Sequence, residues 1–484
     1  MKAVQTLWCG DRELEHSPFW WNDAEYHLMS WALSAMTLRQ YFDRLELYTD
    51  SQGAHVLIDL LGLPYAEVKV VYDHFHCLSC HWALAKVTTY SLQSEPFIHI
   101  DGDIYLPQLI DTVTLKSPLI VQNEEQCTDY YGSMVDRLLG VSGIKIVPEF
   151  RDAMEKKDYT SYNLGFCGGT DIDFFGRFAE SVFRFFRDNE FNSDRFRNDD
   201  ISANVIFEQI FLAIMTRREG IKPAVMWPEK IRDNGYLSEV FSDMIHFDRR
   251  PFIHILGGMK RRKDICRNVE LTLLRLYPDV WRRVAALFPE RHKLLSSGIS
   301  TLVVSAPGSP RYEAALRDTV SSFAAISPEE AITEERGAAG NIACLGMAGD
   351  GRSELTLRLN PLMRVIPIEE AERVTVRARL CAGRRTAPLS VAVLPSVIGA
   401  GYVEIPLHTA ELNIITLLSS PMAMASLIEA LMRSFNSSAS QDKARECAHR
   451  IIEYMLTAGA VIAKQKNTEA PYKQKEQCNK NFIV

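Results

Sequence analysis

The sequence predicts an α/β protein, with a largely parallel, helix-covered sheet in residues 1–294 and a smaller α+β region behind it. Three observations carry this. Short β-like runs alternate with helix-like periods through the first half, the order that builds parallel sheets. After Leu294 the chain turns rich in Ser, Ala, Gly, Pro and Glu, the mark of a boundary. Apolar residues make up 47% and charged residues 24% of 484, a globular balance with enough length for about two or three domains.

The elements follow in order. Ala3–Trp8, Leu45–Thr49, Val68–Tyr72 and Pro96–Ile100 read as strands. Asp23–Phe42, Gly53–Leu63 and Trp82–Leu92 read as the helices between them. A parallel sheet binds ligands beyond the carboxyl ends of its strands, so residues just after each strand are where chemistry is expected. Residues 295–340 read as a connector with one helix near Tyr312–Phe323. In 341–464, β-like runs at Glu354–Leu359, Val374–Leu380 and Ser390–Leu394 precede helices at Thr409–Leu418, Met422–Ser434 and Asp442–Ala458, with Gly459–Ala463 as a closing strand. Polar, Lys-rich 465–484 is expected to be a disordered tail.

Composition excludes several classes. A formal net charge of −7 argues against a general nucleic-acid binder. Ten cysteines scattered over the chain are too few for a disulfide scaffold. The first residues enter a strand with no apolar signal core, and no stretch nears the roughly 18 apolar residues of a membrane span. The expectation is a cytoplasmic protein with reduced thiols; a homo-oligomer is left open.

Three motifs carry chemistry. In Ile98-His99-Ile100-Asp101-Gly102-Asp103, two carboxylates follow directly on an apolar strand. Such hard oxygens suit Mg²⁺ or Mn²⁺, and a cation there neutralises charge on a departing diphosphate. The bland reading is a polar loop, and a second such triplet at Asp171-Ile172-Asp173 shows that chance matches occur. In His254-Ile255-Leu256-Gly257-Gly258-Met259-Lys260, the imidazole can complete the coordination of the metal. Gly257 and Gly258 allow close approach of backbone to phosphate, and Lys260 adds a compact positive charge. In Asn163-Leu164-Gly165-Phe166-Cys167-Gly168-Gly169, the amide can bond sugar hydroxyls and the small residues leave room; the bland reading is a tight turn.

In this order the three motifs resemble those of GT-A fold glycosyltransferases, especially the glycogenin-like and lipopolysaccharide-galactosyltransferase-like family 8. The resemblance covers residues 1–290. It implies that Asp101, Asp103 and His254 hold Mn²⁺ or Mg²⁺, that Lys260 meets the diphosphate of a UDP-sugar, and that Lys86 lies near the donor. It places Asn163 and Gly165 on the acceptor side, and Glu208-Gln209 where the family has Asp-Gln beside the reacting sugar. It also implies transfer of a hexosyl unit with retention of configuration. Lys260 is followed by Arg261 rather than the Pro-Trp of that group, and position 208 is Glu rather than Asp. From the fold alone, Thr6, Trp8 and Asp50 are expected to line the base and ribose.

Other features read more plainly. His74, His76, Cys77, Cys80 and His81 lack a second cysteine pair, so a plain loop is favoured over a zinc site. Trp20, Trp21, Trp31 and Trp82 read as helix core. The region Tyr402–Lys464 resembles the winged-helix peptide-recognition domain of enzymes that modify ribosomal peptides, which implies a peptide as one candidate acceptor beside a glycan; packing or dimerisation is the plainer reading. Two rivals to a transferase stand: a haloacid-dehalogenase-type phosphatase, and a non-catalytic peptide-binding adaptor. The first expects its Asp-x-Asp near the start of the domain and leaves His254 idle. The second expects the metal ligands to be lost.

Overall fold

A computed structural model describes residues 1–464 apart from 112, 127, 158, 197–202, 233–237, 297–303, 348, 382–385, 399–400 and 436–439. The expected tail, 465–484, lies outside the described residues, as does part of the expected connector. The fold is mixed α/β. Contacts divide it into one unit of Met1–Leu273 with Asp279–Val284 and another of Leu274–Pro278 with Ala285–Val484.

The first unit is built on an eight-stranded sheet of order β3-β2-β1-β4-β7-β6-β8, with β9 beside β6. Its strands are β1 Lys2–Leu7, β2 Leu45–Thr49, β3 Glu67–Val70, β4 Phe97–Ile100, β6 Ile120–Gln126, β7 Ser161–Gly169, β8 Ala224–Val225 and β9 Ile231–Arg232. A two-stranded ladder joins β5 Ile104–Tyr105 to β10 Ile253–His254. The pairings among β3, β2, β1 and β4 are parallel, as are those of β6 with β8 and β9; β7 runs antiparallel to both β4 and β6. Every residue of β2 and β4 is buried. The one carboxylate buried on β2, Glu46, accepts from Lys2 Nζ at 2.8 Å and Lys69 Nζ at 3.2 Å, as a buried charge requires.

Helices cover the sheet. Ala24–Leu38 is buried nearly all round, which fits its apolar sequence. Ile172–Asp188 is amphipathic, with Phe174, Phe175, Phe178, Val182 and Phe185 inward. Asp171, half of the second Asp-x-Asp, caps that helix by accepting from the Phe174 amide at 3.0 Å.

The glycine-rich run Asn163–Gly169 is not a turn before a helix. It is the body of β7, between β4 and β6. A Cβ at Gly168 would lie 2.2 Å from the Phe97 carbonyl, so these glycines permit close strand approach.

The second unit holds two three-stranded antiparallel sheets, β15-β11-β16 and β12-β13-β14. The strands are β11 Thr356–Leu359, β12 Arg364–Pro367, β13 Ser390–Pro395, β14 Tyr402–Leu407, β15 Met422–Ala423 and β16 Val461–Lys464. Helices Thr409–Leu417, Met424–Ser434 and Gln441–Thr457 pack Ile414, Leu427, Leu431, Ile452 and Met455 into one core with Leu357 and Leu407. Val374–Leu380, expected as a strand, is a helix, Arg373–Leu380, with Val374 exposed and Val376 buried. β-branched content marks a half-buried surface rather than a backbone preference. The stretch read as a connector carries two helices, Pro310–Ser322 and Pro328–Leu345. Asn341 on the latter donates to the Leu456 and Val461 carbonyls at 2.8 and 2.7 Å.

Candidate metal centre and adjoining clefts

The carboxyl end of β4 turns sharply. The Ile104 amide donates back to the Asp101 carbonyl at 3.1 Å, and the Asp101 amide donates across to Gly165 on β7 at 3.0 Å. Helix Ala24–Leu38 clamps the turn from outside. Ser30 Oγ donates to the Gly102 carbonyl at 2.9 Å, and a Cβ at Gly102 would sit 2.4 Å from the Trp31 ring. Only glycine fits between the two aspartates.

The ladder of β5 with β10 sets Ile104 opposite His254, and the Ile255 amide donates to the Asp103 carbonyl at 3.1 Å. Asp101, Asp103 and His254 thereby each offer a ligand atom within 4.8 Å of the others. Asp103 Oδ1 is buried, has no hydrogen-bond partner and lies 3.4 Å from His254 Nε2. With bonds of about 2.0–2.2 Å, one small divalent ion fits a set of two carboxylates and an imidazole.

Each aspartate is backed by a lysine. Buried Lys86, on helix Ala83–Ser91, sits 2.9 Å from Asp101 and 2.7 Å from Glu208, and donates to the Leu164 carbonyl at 3.3 Å. Lys260 Nζ is 2.5 Å from Asp103 Oδ2. Burial pushes the Asp101 carboxyl up, and Lys86 offsets only part of that. Burial opposes ionisation of Asp103 too, but the Lys260 ammonium leads the interactions that outweigh it, and that carboxyl is held well below the usual range.

Two clefts share Trp8, and the smaller reaches the centre. One, of about 520 Å³, opens beyond β1, β2 and β3 and is lined by Trp8, Asp50, Tyr72, Asp73 and Phe75 among others. The other, of about 150 Å³, contains Thr6, Trp8, Lys86, Asp101, Asp103 and Lys260. Trp20, Trp21, Trp31 and Trp82 also line it. Trp20 and Trp82 are 52% and 37% exposed, so these two are cleft walls and not helix core.

Other expected site residues have partners within the protein. Asp50 is already committed: it accepts from the Cys9 amide at 2.7 Å and caps the following helix through the Gly53 amide at 2.8 Å. The Thr6 hydroxyl lies 2.7 Å from that of Thr89 and 3.0 Å from His99 Nε2. Asn163 is buried, donating to Glu125 at 3.2 Å and accepting from the Gly165 amide at 3.0 Å. Both its polar ends are used inside the sheet. The room that Gly165 leaves is filled by Gln122 and His254. Glu208 joins the centre through Lys86, and Gln209 Oε1 lies 3.0 Å from the Tyr131 hydroxyl. Gly257, at φ +46, opens a short 3₁₀ turn to Arg261; a Cβ on Gly257 or Gly258 would meet nothing within 4 Å.

Sequence reasoning missed the strap between β1 and helix Ala24–Leu38. Phe19 and Trp20 adopt φ of 42° and 76°, a costly backbone that tends to mark function. Phe19 stacks on His27 at 4.5 Å, and the Arg12 guanidinium sits 4.8 Å from the Phe19 ring while donating to the Ser79 carbonyl at 2.7 Å. Arg12 lines the smaller cleft. The run Ser17-Pro18-Phe19-Trp20-Trp21-Asn22 has no periodicity, and its aromatic density was the only signal.

His81 is buried against Phe186 and Phe191. Among the described residues, His74–His81 brings no three ligand atoms together; Cys77 and Cys80 line the larger cleft. No described helix is long and apolar enough to cross a membrane.

A comparison with curated proteins finds no match. The model of one family covers residues 1–287, the stretch that holds the sheet, both clefts and every ligand of the candidate centre, and by that match the chain belongs to the family of unknown function DUF6734.

Proposed function

We propose that the chain is a metal-dependent glycosyltransferase of GT-A type, which moves a hexosyl unit from a nucleotide sugar, a UDP-sugar in the first instance, to an acceptor hydroxyl. The observation that carries the reading is the meeting of Asp101, Asp103 and His254 at the carboxyl edge of the sheet, with a lysine against each carboxylate. A divalent ion held by the three supplies electrostatic relief to a diphosphate leaving group. With a cation on the aspartates, Lys260 would be free to meet anionic oxygens, while Lys86 would keep its pairing with Glu208. Arg12 adds a planar donor at the cleft wall. The larger cleft has the volume of a ligand pocket, which suits a nucleoside; the smaller suits a single ring against flat indole faces.

Under this reading the second unit reads the acceptor. Its small sheets and the helices Thr409–Leu417, Met424–Ser434 and Gln441–Thr457 are in keeping with a winged-helix-like domain that takes a peptide strand at a sheet edge. Retention of configuration rests on the family resemblance alone.

Purified protein with a panel of nucleotide sugars and Mn²⁺ tests the proposal. Release of UDP that stops on chelation is expected, and Asp103→Asn should lower it by at least about a hundredfold. Turnover undiminished by chelation, or calorimetry showing no binding of UDP with Mn²⁺, overturns it. Release of phosphate from phosphomonoesters would favour the phosphatase instead.

A further inference from the structure

His254 is the end of a buried polar ladder along β6. Its Nδ1 lies 2.7 Å from Gln122 Oε1. Gln122 Nε2 donates to Asn123 Oδ1 at 3.2 Å, and Asn123 Nδ2 donates to Glu125 Oε1 at 3.5 Å. Glu125 also accepts from Asn163 Nδ2 at 3.2 Å on the same oxygen, and from the Tyr131 hydroxyl on the other. Gln122 and Asn123 are fully buried, Glu125 is 1% exposed and Asn163 is 5% exposed. Such a row is costly unless every member is satisfied.

The direction of the ladder is fixed from its far end. The Gly165 amide can only donate, so Asn163 must turn Oδ1 toward it and Nδ2 toward Glu125. Glu125 Oε1 therefore accepts from Asn163, and in a carboxylate, or a carboxyl with its proton on Oε2, it can only accept from Asn123 as well. Asn123 must meet it with Nδ2, which leaves Oδ1 for Gln122. Gln122 must give Nε2 to Asn123 and Oε1 to His254. A neutral imidazole facing an acceptor with Nδ1 carries its proton there and its lone pair on Nε2. That lone pair faces the unpartnered Oδ1 of Asp103 across 3.4 Å. Two lone pairs opposed in a buried place repel, and a cation between them removes the conflict.

We propose that Glu125 is a positioning residue of the metal centre: through Asn123 and Gln122 it holds His254 as the Nδ1–H tautomer, so that Nε2 is the ligand atom. The inference rests on the metal part of the function proposed above and not on the sugar. Outer partners of this kind shift metal affinity by about 10–100-fold.

The test uses ¹⁵N-histidine spectra of the full chain without metal, with His254 assigned by its loss in His254→Gln, and Mn²⁺ titration alongside. The wild type should show the Nδ1–H tautomer. Asn123→Leu and Glu125→Leu should lose that bias and weaken Mn²⁺ by about ten- to a hundredfold. Glu125→Gln, which keeps an acceptor oxygen, should retain both; a role in packing alone would not rank the variants this way. A wild-type Nε2–H tautomer overturns the proposal with no variant needed. So does unchanged tautomer and Mn²⁺ affinity in folded Asn123→Leu. Absence of Mn²⁺ binding beside an Nδ1–H spectrum would sink the metal reading and leave the tautomer assignment standing.

Discussion

At Gly165 a missing side chain decides the geometry of the centre. A Cβ there would lie 2.5 Å from Gln122 Oε1 and 2.6 Å from His254 Cε1, closer than such atoms approach. Gly165→Ala must therefore move the imidazole or the amide that orients it. The strain should cost about 1–3 kcal/mol, read as a lower urea midpoint, with Mn²⁺ binding weakened as well. Wild-type Mn²⁺ affinity in Gly165→Ala would mean that the imidazole can shift without harm. The motif Asn163-x-Gly165 was legible in the sequence, but its role was not. A glycine that clears space for a neighbour and one that clears space for a sugar look alike until the strand pairing is known. The candidate metal ligands were more legible, because Asp101 and Asp103 follow directly on the strand Phe97–Ile100 and His254 begins its own motif.

Among the elements, β1, β2 and β4 were readable because their buried runs are short and apolar. β7 was not, because its glycines carry a turn signal that sheet pairing overrides. The strap and the helix it leads into were readable only in part. His27 on that helix accepts from Trp31 Nε1 at 2.9 Å and is stacked under Phe19. Burial, aided by repulsion from Lys260, lowers its pKa to about 3. Burial lowers that of His81 to about 4 and also depresses His99. The unfolded chain protonates these rings near pH 6.5, while the folded chain keeps them neutral far lower. Between those values the unfolded state binds more protons, so stability falls as pH falls, by at most about 1.4 kcal/mol per pH unit for each ring. Above pH 6.5 the effect is absent. All seven tryptophans lie between Trp8 and Trp281 within the first unit, so their fluorescence follows its unfolding alone. His27→Gln keeps an acceptor for Trp31 but cannot titrate. Urea melts of metal-free protein at pH 7.5 and 5 should show a smaller loss in the variant than in the wild type. Equal losses would assign the acid sensitivity elsewhere.

For the whole chain, the division of labour can be argued from where the chemistry lies. Every candidate ligand and cleft residue from Thr6 to Lys260 belongs to the first unit, whereas the second has a separate hydrophobic core. A chain ending at Leu294 is therefore expected to fold around its sheet, bind UDP with Mn²⁺ and hydrolyse donor slowly. It should lose transfer to the true acceptor, because binding energy from remote parts of a substrate is what brings the reacting hydroxyl into line. Calorimetry with UDP and a transfer assay on the same preparation separate the possibilities. An aggregated product would assign the second unit a role in folding. A soluble product that binds UDP and glycosylates the acceptor at the full rate would show that recognition of the acceptor is complete within residues 1–294. Retained UDP binding with lost transfer is the one outcome that requires the second unit to hold the acceptor, and the strand edges of its two small sheets would then be the first surface to probe.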